Sequence, residues 1–155
     1  MKKEMKKKNN KGFSLVELIV VIAIMAVLMV VLAPAMLRYV EKTRIQKDDS
    51  AASEVRNALE LTLANDSICS ALNYGDVTVT IKGSDGTIEV KGPTGVDVSK
   101  IQSEIDSTVK ATSDSKITIA SKDRKGKTYS VTAKWNDPQG CYILEEQAKS
   151  ENGWK

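Results

Sequence analysis

A chain of 155 residues with 41% hydrophobic side chains has room for one modest domain and an appendage, which excludes a large multidomain enzyme. The formal charge of +3 suggests a nucleic-acid partner, but residues 1–12 alone carry six lysines and one glutamate. Without them 17 basic and 19 acidic side chains remain of the 23 and 20 in the whole chain, so the basicity belongs to a leader and no specific nucleic-acid partner is expected. No histidine is present, which removes the commonest general base, and two cysteines supply only half of a tetrahedral zinc shell. With no nucleophile and base in a recognisable pattern, no enzymatic activity, cofactor or metal is expected.

The first element is an apolar run over residues 15–37. No side chain in residues 18–33 is polar, and a helix continued through Pro34 to Leu37 reaches about 30 Å, the thickness of a bilayer core. Lysines ahead of such a span hold that end in the cytoplasm and place everything after Leu37 outside. Outside the cytoplasm, a disulfide between Cys69 and Cys141 is the default, with free thiols as the alternative on a Gram-positive surface.

Two ordinary readings of this N-terminus are a cleaved secretory signal, with Ala33-Pro34-Ala35 as the small-residue cut site, and a signal anchor holding an extracellular binding domain or enzyme. Neither needs Glu17, a carboxylate two residues inside the apolar run, where ionised side chains are costly. A snorkelling interfacial carboxylate is the bland account of it.

Lys11-Gly12-Phe13-Ser14-Leu15-Val16-Glu17-Leu18-Ile19 resembles the processing site of type IV prepilins: a basic leader, a glycine, a phenylalanine, and a glutamate fifth in the mature chain. The resemblance covers roughly residues 11–38 and includes Pro34 at the family's usual proline position. It implies cleavage after Gly12 by a membrane aspartyl peptidase, N-methylation of Phe13, and assembly through Glu17, which meets the Phe13 amine of a neighbouring subunit. In an apolar filament core that pairing removes two lone charges and sets axial register more than it adds stability. Glycine before the cut lets the backbone lie close to the peptidase, and an anion in the first turn of a helix suits the helix dipole. Ala26 departs from the glycine many relatives carry in this segment. Pro34 removes a hydrogen bond and crowds the carbonyl of Val30, so a kink or loosening is expected there.

The implied partners are identical or related pilin subunits, the prepilin peptidase and methylase, the assembly platform in the membrane, and the lipid bilayer before assembly. The implied location is the cytoplasmic membrane first and an extracellular pilus later. Adhesion, motility or biofilm formation would follow from the filament. A major pilin, a minor pilin, and a pseudopilin of a type II secretion or competence DNA-uptake system share this N-terminus. Glu17 favours a subunit that sits within the filament, the length and the meander with its loops suit a major pilin, and the lysine-rich composition points to a low-GC Gram-positive source.

Past the span, residues 38–49 are charged, and then Ala52, Val55, Leu59, Leu63, Ile68 and Leu72 recur at helical spacing. The expectation is one helix from about Phe13 to about Leu72, its second half packed on a small sheet. Val77, Val79 and Ile81 alternate with threonines, Gly83-Ser84-Asp85-Gly86 has turn chemistry, and residues 87–91 return as a second strand. Ile101, Ile105 and Val109 mark a short amphipathic helix, and residues 116–120, 128–135 and 141–144 read as further strands. The basic cluster over residues 122–127 reads as a solvated hairpin tip, without the aromatic platform that would favour nucleic acid. Glu145 and Glu146 read as the start of an exposed chain ending, with Trp154 docked at a place the sequence does not name. The fold class is α+β, pilin-like, divided into a leader (1–12), a membrane or filament-core helix (13–37), an amphipathic second half of that helix (38–72) and an extracellular β-rich portion (73–155).

Overall fold

A computed structural model describes residues 12–146 and 154–155. It divides into two compact units, Met1–Val40 and Glu41–Lys155, and a helix α1 (Leu15–Leu63) contributes to both. In the first unit every residue over 15–37 is exposed, and the helix continues through Pro34 without a break.

In the second unit the periodic apolar residues of α1 meet a sheet. Ala52, Val55, Leu59 and Leu63 are buried in one core with Val77, Val79 and Ile81 of β1 (Val77–Lys82), Ile88 and Val90 of β2 (Ile88–Lys91) and Val131 and Ala133 of β3 (Thr128–Asn136). With β4 (Cys141–Glu146) these strands form an antiparallel sheet in the order β2-β1-β3-β4. Period-two alternation turns the valines of β1 inward, and Thr78 and Thr80 on the other face bond to Thr132 and Ser130 of β3. The fold is α+β, with the long helix packed on a small four-stranded sheet.

The helix ends earlier than its apolar period suggests. After Leu63 the chain turns, and the Asn65 side chain accepts a hydrogen bond from the Ser67 amide at 3.0 Å to cap a separate helix α2 (Asp66–Ala71). Ile68 and Leu72 are nonetheless buried, so the stripe persists although the helix does not.

Residues 116–120 are likewise not a strand. Lys116 makes one isolated bridge to Thr87, while the Ala120 and Ser121 amides each donate at 2.8 Å to the carboxylate of Asp48 on α1. A side chain from a distant helix supplies the acceptors that a neighbouring strand would have supplied.

The hairpin between β1 and β2 depends on its glycines. Gly86 takes a positive φ of 75°, and a Cβ there would strike the Ile117 carbonyl oxygen; a Cβ on Gly83 would strike that of Arg124. On the outer edge of β2, Gln102 of α3 (Ser99–Thr108) accepts from the Val90 amide at 3.1 Å and donates to the Ile88 carbonyl at 3.4 Å. A single amide side chain thus caps the edge strand.

Trp154 is fully buried and bridges Tyr129, while Thr128 and Lys155 exchange backbone hydrogen bonds of 2.6 and 2.9 Å. This places the chain end on β3, beyond the last β3–β4 pair at Val131 and Glu146. Glu145 is exposed as expected but belongs to β4, where it pairs with Lys134 of β3 at 2.7 Å.

Candidate membrane and assembly site

Gly12 is exposed, with nothing near the position a Cβ would take, and Phe13 beside it is 79% exposed. Both residues of the expected cleavage point are therefore reachable by another protein. The helix begins at Leu15, which makes Ser14 its N-cap and Glu17 its third residue. The Glu17 carboxylate reaches back to accept from the Ser14 amide at 2.9 Å. This is one half of a capping box, and its signal, Ser14-x-x-Glu17, is present in the sequence. Glu17 therefore has a partner within its own chain.

The helix that follows has no internal use for its side chains. Seventeen large apolar residues between Leu15 and Leu37 are exposed, none of the most apolar window is buried, and its length and composition are those of a membrane span. Left in water, side chains of this size forgo about 1.5–3 kcal/mol each, on the order of 30 kcal/mol together. A whole domain is stable by only about 5–15 kcal/mol. Lipid or other apolar helices must cover this surface.

At the start of the second unit, helix α1 grips residues 120–124. Glu41 accepts from Ser121 Oγ at 2.9 Å and the Lys122 amide at 2.7 Å, which holds its carboxyl below the usual range, the backbone bond contributing most. Asp48 is fully buried on the amides of Ala120 and Ser121, and Asp49 receives the Arg124 guanidinium at 2.8 Å. Arg124 is itself buried and lies 5.7 Å from the Trp154 ring centroid. The basic cluster expected as a solvated tip is a docked turn, its arginine consumed internally. Sequence reasoning identified neither the acidic grip, whose hydrogen bonds join segments 72 to 81 positions apart, nor the seat of Trp154 on Tyr129 and Arg124, because neither contact leaves a local pattern.

Cys69 and Cys141, the expected disulfide pair, are separate thiols in this structure. Both line a cleft of about 260 Å³ with Trp135 and Tyr142. Cys69 is buried and its thiol donates to the Leu63 carbonyl; burial, then the Asp66 charge, pushes its pKa up. Tyr142 is pushed up to about 12, first by burial and then by Cys69.

The exposed apolar helix behind a reachable Gly12-Phe13 pair defines a class of protein that needs a membrane or other helices around its N-terminal half. Residues 7–33 match the prokaryotic N-terminal methylation motif. Over 87 residues the chain is 32% identical to prepilin peptidase-dependent protein A of Clostridium perfringens (strain 13 / Type A), a match covering 56% of this chain and 59% of that protein. The chain thus spans somewhat over half the length of this curated relative. No solved structure matches. Both matches support a type IV pilin-like protein.

Proposed function

We propose that the chain is a structural subunit of a type IV pilus. In this reading it is cut between Gly12 and Phe13, methylated on the Phe13 amine, and held with its N-terminus at the cytoplasmic face by residues 13–37. It is then polymerised with copies of itself on a membrane platform, with residues 38–155 outside. The observation that carries the reading is the methylation motif lying on a helix whose apolar surface has no partner in its own chain. The name of the clostridial relative supports dependence on a prepilin peptidase. The protein acts as building material, not as a catalyst.

Glu17 is the assembly residue in this proposal, and its bond to Ser14 sets the terms of the test. Glu17→Gln keeps an oxygen for the Ser14 amide but loses the charge, whereas Glu17→Ala loses both. If Glu17 acts as counter-charge to the Phe13 amine of a neighbour, both variants accumulate processed subunit in the membrane and shed few filaments. Wild-type filament yield from the Gln variant would reduce Glu17 to a helix cap. Mass spectrometry of the membrane-held and sheared protein should give N-methylated Phe13 as the first residue; a start at Met36 would mean ordinary secretory cleavage.

A further inference from the structure

We propose that Lys42, Lys122 and Lys125, with Lys47 at its margin, form a docking surface for the anionic phospholipid headgroups of the membrane in which the subunit waits. This inference rests on the reading of the apolar helix as a bilayer span. It concerns charges that neither the processing motif nor the assembly step uses.

The surface is assembled from two distant segments. The Lys122 amide bonds to Glu41, and the Ala120 and Ser121 amides bond to Asp48, which seats the 120–125 turn along one row of α1. At about 100° per residue, Lys42 and Lys47 project to either side of the row formed by Glu41 and Asp48. All four lysines are exposed.

Charge is sorted by sign across this junction. The segments 41–49 and 120–127 carry seven bases and four acids. Every one of the acids is engaged within the two segments: Glu41 by Ser121 and Lys122, Asp48 by two backbone amides, Asp49 by Arg124, and Asp123 by Lys127. Arg124 and Lys127 are occupied by the same pairs, and Arg44 contacts Glu41 at 3.5 Å. Lys42, Lys47, Lys122 and Lys125 have no ion pair among the described residues. Glu41, Asp48 and Asp49 thus face the fold, Asp123 is neutralised at the surface by Lys127, and the remaining bases face solvent.

Their position selects the partner. Chain connectivity alone keeps Glu41 within about 14 Å of Leu37, the last residue of the apolar run. The turn bonded to Glu41 therefore lies at or just beyond the polar headgroup layer, which is roughly 5–8 Å deep on each side of a bilayer. Lysine stems add reach and keep the ammonium in the headgroup zone. Nucleic acid is the other polyanion to consider, but Trp154, the ring against which Arg124 of this turn packs, is fully buried and offers no base a stacking face. Each lysine near an anionic membrane is worth roughly fivefold in association, and that gain is lost to salt.

The test uses the full chain in nanodiscs of phosphatidylcholine carrying a trace of spin-labelled phosphatidylglycerol or spin-labelled phosphatidylcholine. Electron spin resonance gives the motionally restricted fraction of each label. At low salt the restricted population should favour phosphatidylglycerol severalfold, and at about 1 M salt, where screening reaches about 3 Å, the preference should vanish. A Lys122→Glu/Lys125→Glu double variant should lower the ratio severalfold against a wild type carrying the same leader lysines, an unchanged ratio overturning the proposal, and Lys122→Arg/Lys125→Arg should retain it. Equal restriction of both labels by the wild type would overturn the proposal while leaving the span intact. Absence of any restricted component would overturn it by removing the span, and would overturn the membrane reading with it. Binding of a short DNA duplex in phosphatidylcholine discs, with no lipid preference, would assign the surface to nucleic acid instead.

Discussion

The two halves of α1 solve opposite problems with the same backbone. Residues 18–37 are apolar on every side and exposed on every side, whereas residues 41–63 are apolar along one stripe and that stripe is buried. A helix apolar all round needs apolar surroundings, and one with a single stripe needs only a sheet. The first half is therefore written for a neighbour the chain does not contain, and the second for its own β1 and β3. The methylation-motif match falls on the first half, and the residues that hold the fold collect on the second.

That contrast can be broken most sharply by the same substitution in each half. Leu59 is fully buried and Leu28 is 54% exposed. In detergent micelles Leu59→Ala should lower the unfolding free energy of the 41–155 unit by about 3 kcal/mol, and Leu28→Ala should change it by less than about 0.5 kcal/mol. Equal losses from the two would show that residues 15–37 share in the core.

The acidic grip gives the next largest effect. Asp48→Ala strands the amides of Ala120 and Ser121, two hydrogen bonds to a buried charge, and should cost about 2–3 kcal/mol. Asp48→Asn offers one carbonyl oxygen for two amides and should fall between. Hydrogen exchange at Ala120 and Ser121 reports the loss directly; unchanged protection in the alanine variant would mean that other acceptors hold these amides.

Much of this architecture is legible in the sequence because its signals are local. The 3.6-residue stripe from Ala52 to Leu63, the alternation of Val77, Val79 and Ile81, and the Gly83 to Gly86 turn all read correctly, as does the short helix at Ile101 and Ile105. The end of α1 does not, since the apolar period carries on through Ile68 and Leu72 and masks the cap at Asn65. Residues 116–120 fail for a different reason. Ile117 and Ile119 alternate as in a strand, but whether their backbone finds a strand or a carboxylate is decided by Asp48, 72 residues before Ala120. The methylation-motif match over residues 7–33 includes Gly12, Phe13 and Glu17, and the Ser14-x-x-Glu17 cap lies within it. The grip on Arg124 has no local signature, because opposite charges in separate segments do not announce that they will meet.

A smaller effect separates the two thiols. Cys69 is buried, donates to Leu63, and is harder to ionise, while Cys141 on the sheet edge is exposed. In reduced, folded protein, Cys141 should be alkylated at least about tenfold faster than Cys69, a difference of roughly 1.4 kcal/mol in barrier. Denaturation should equalise them. Equal rates in the folded protein would place Cys69 in solvent and contradict the packing of α2 on the sheet.

The smallest expected effect tests the end of the second unit nearest the apolar helix. The Lys122 amide and the Ser121 hydroxyl hold the Glu41 carboxyl below its ordinary value of 4.5. A carboxyl with a depressed folded pKa binds its proton more readily in the unfolded chain. Its contribution to stability is therefore complete above about pH 4.5 and is lost as pH falls through the folded value. Asp85, Glu89, Asp97 and Asp123 are depressed as well, by hydrogen bonds from Thr87, Lys82, Ser99 and Lys127 respectively, so the wild-type acid limb is a composite. The difference between wild type and Glu41→Gln isolates one component. Glutamine cannot lose a proton, so that difference should be constant above pH 5.5 and should shrink steadily below 4.5. Because Glu41 is solvent-accessible, salt should weaken the effect. Parallel pH profiles for the two proteins through this range would mean that the 120–124 turn does not depend on the Glu41 charge. The turn would then be seated by Asp48 and Asp49 alone.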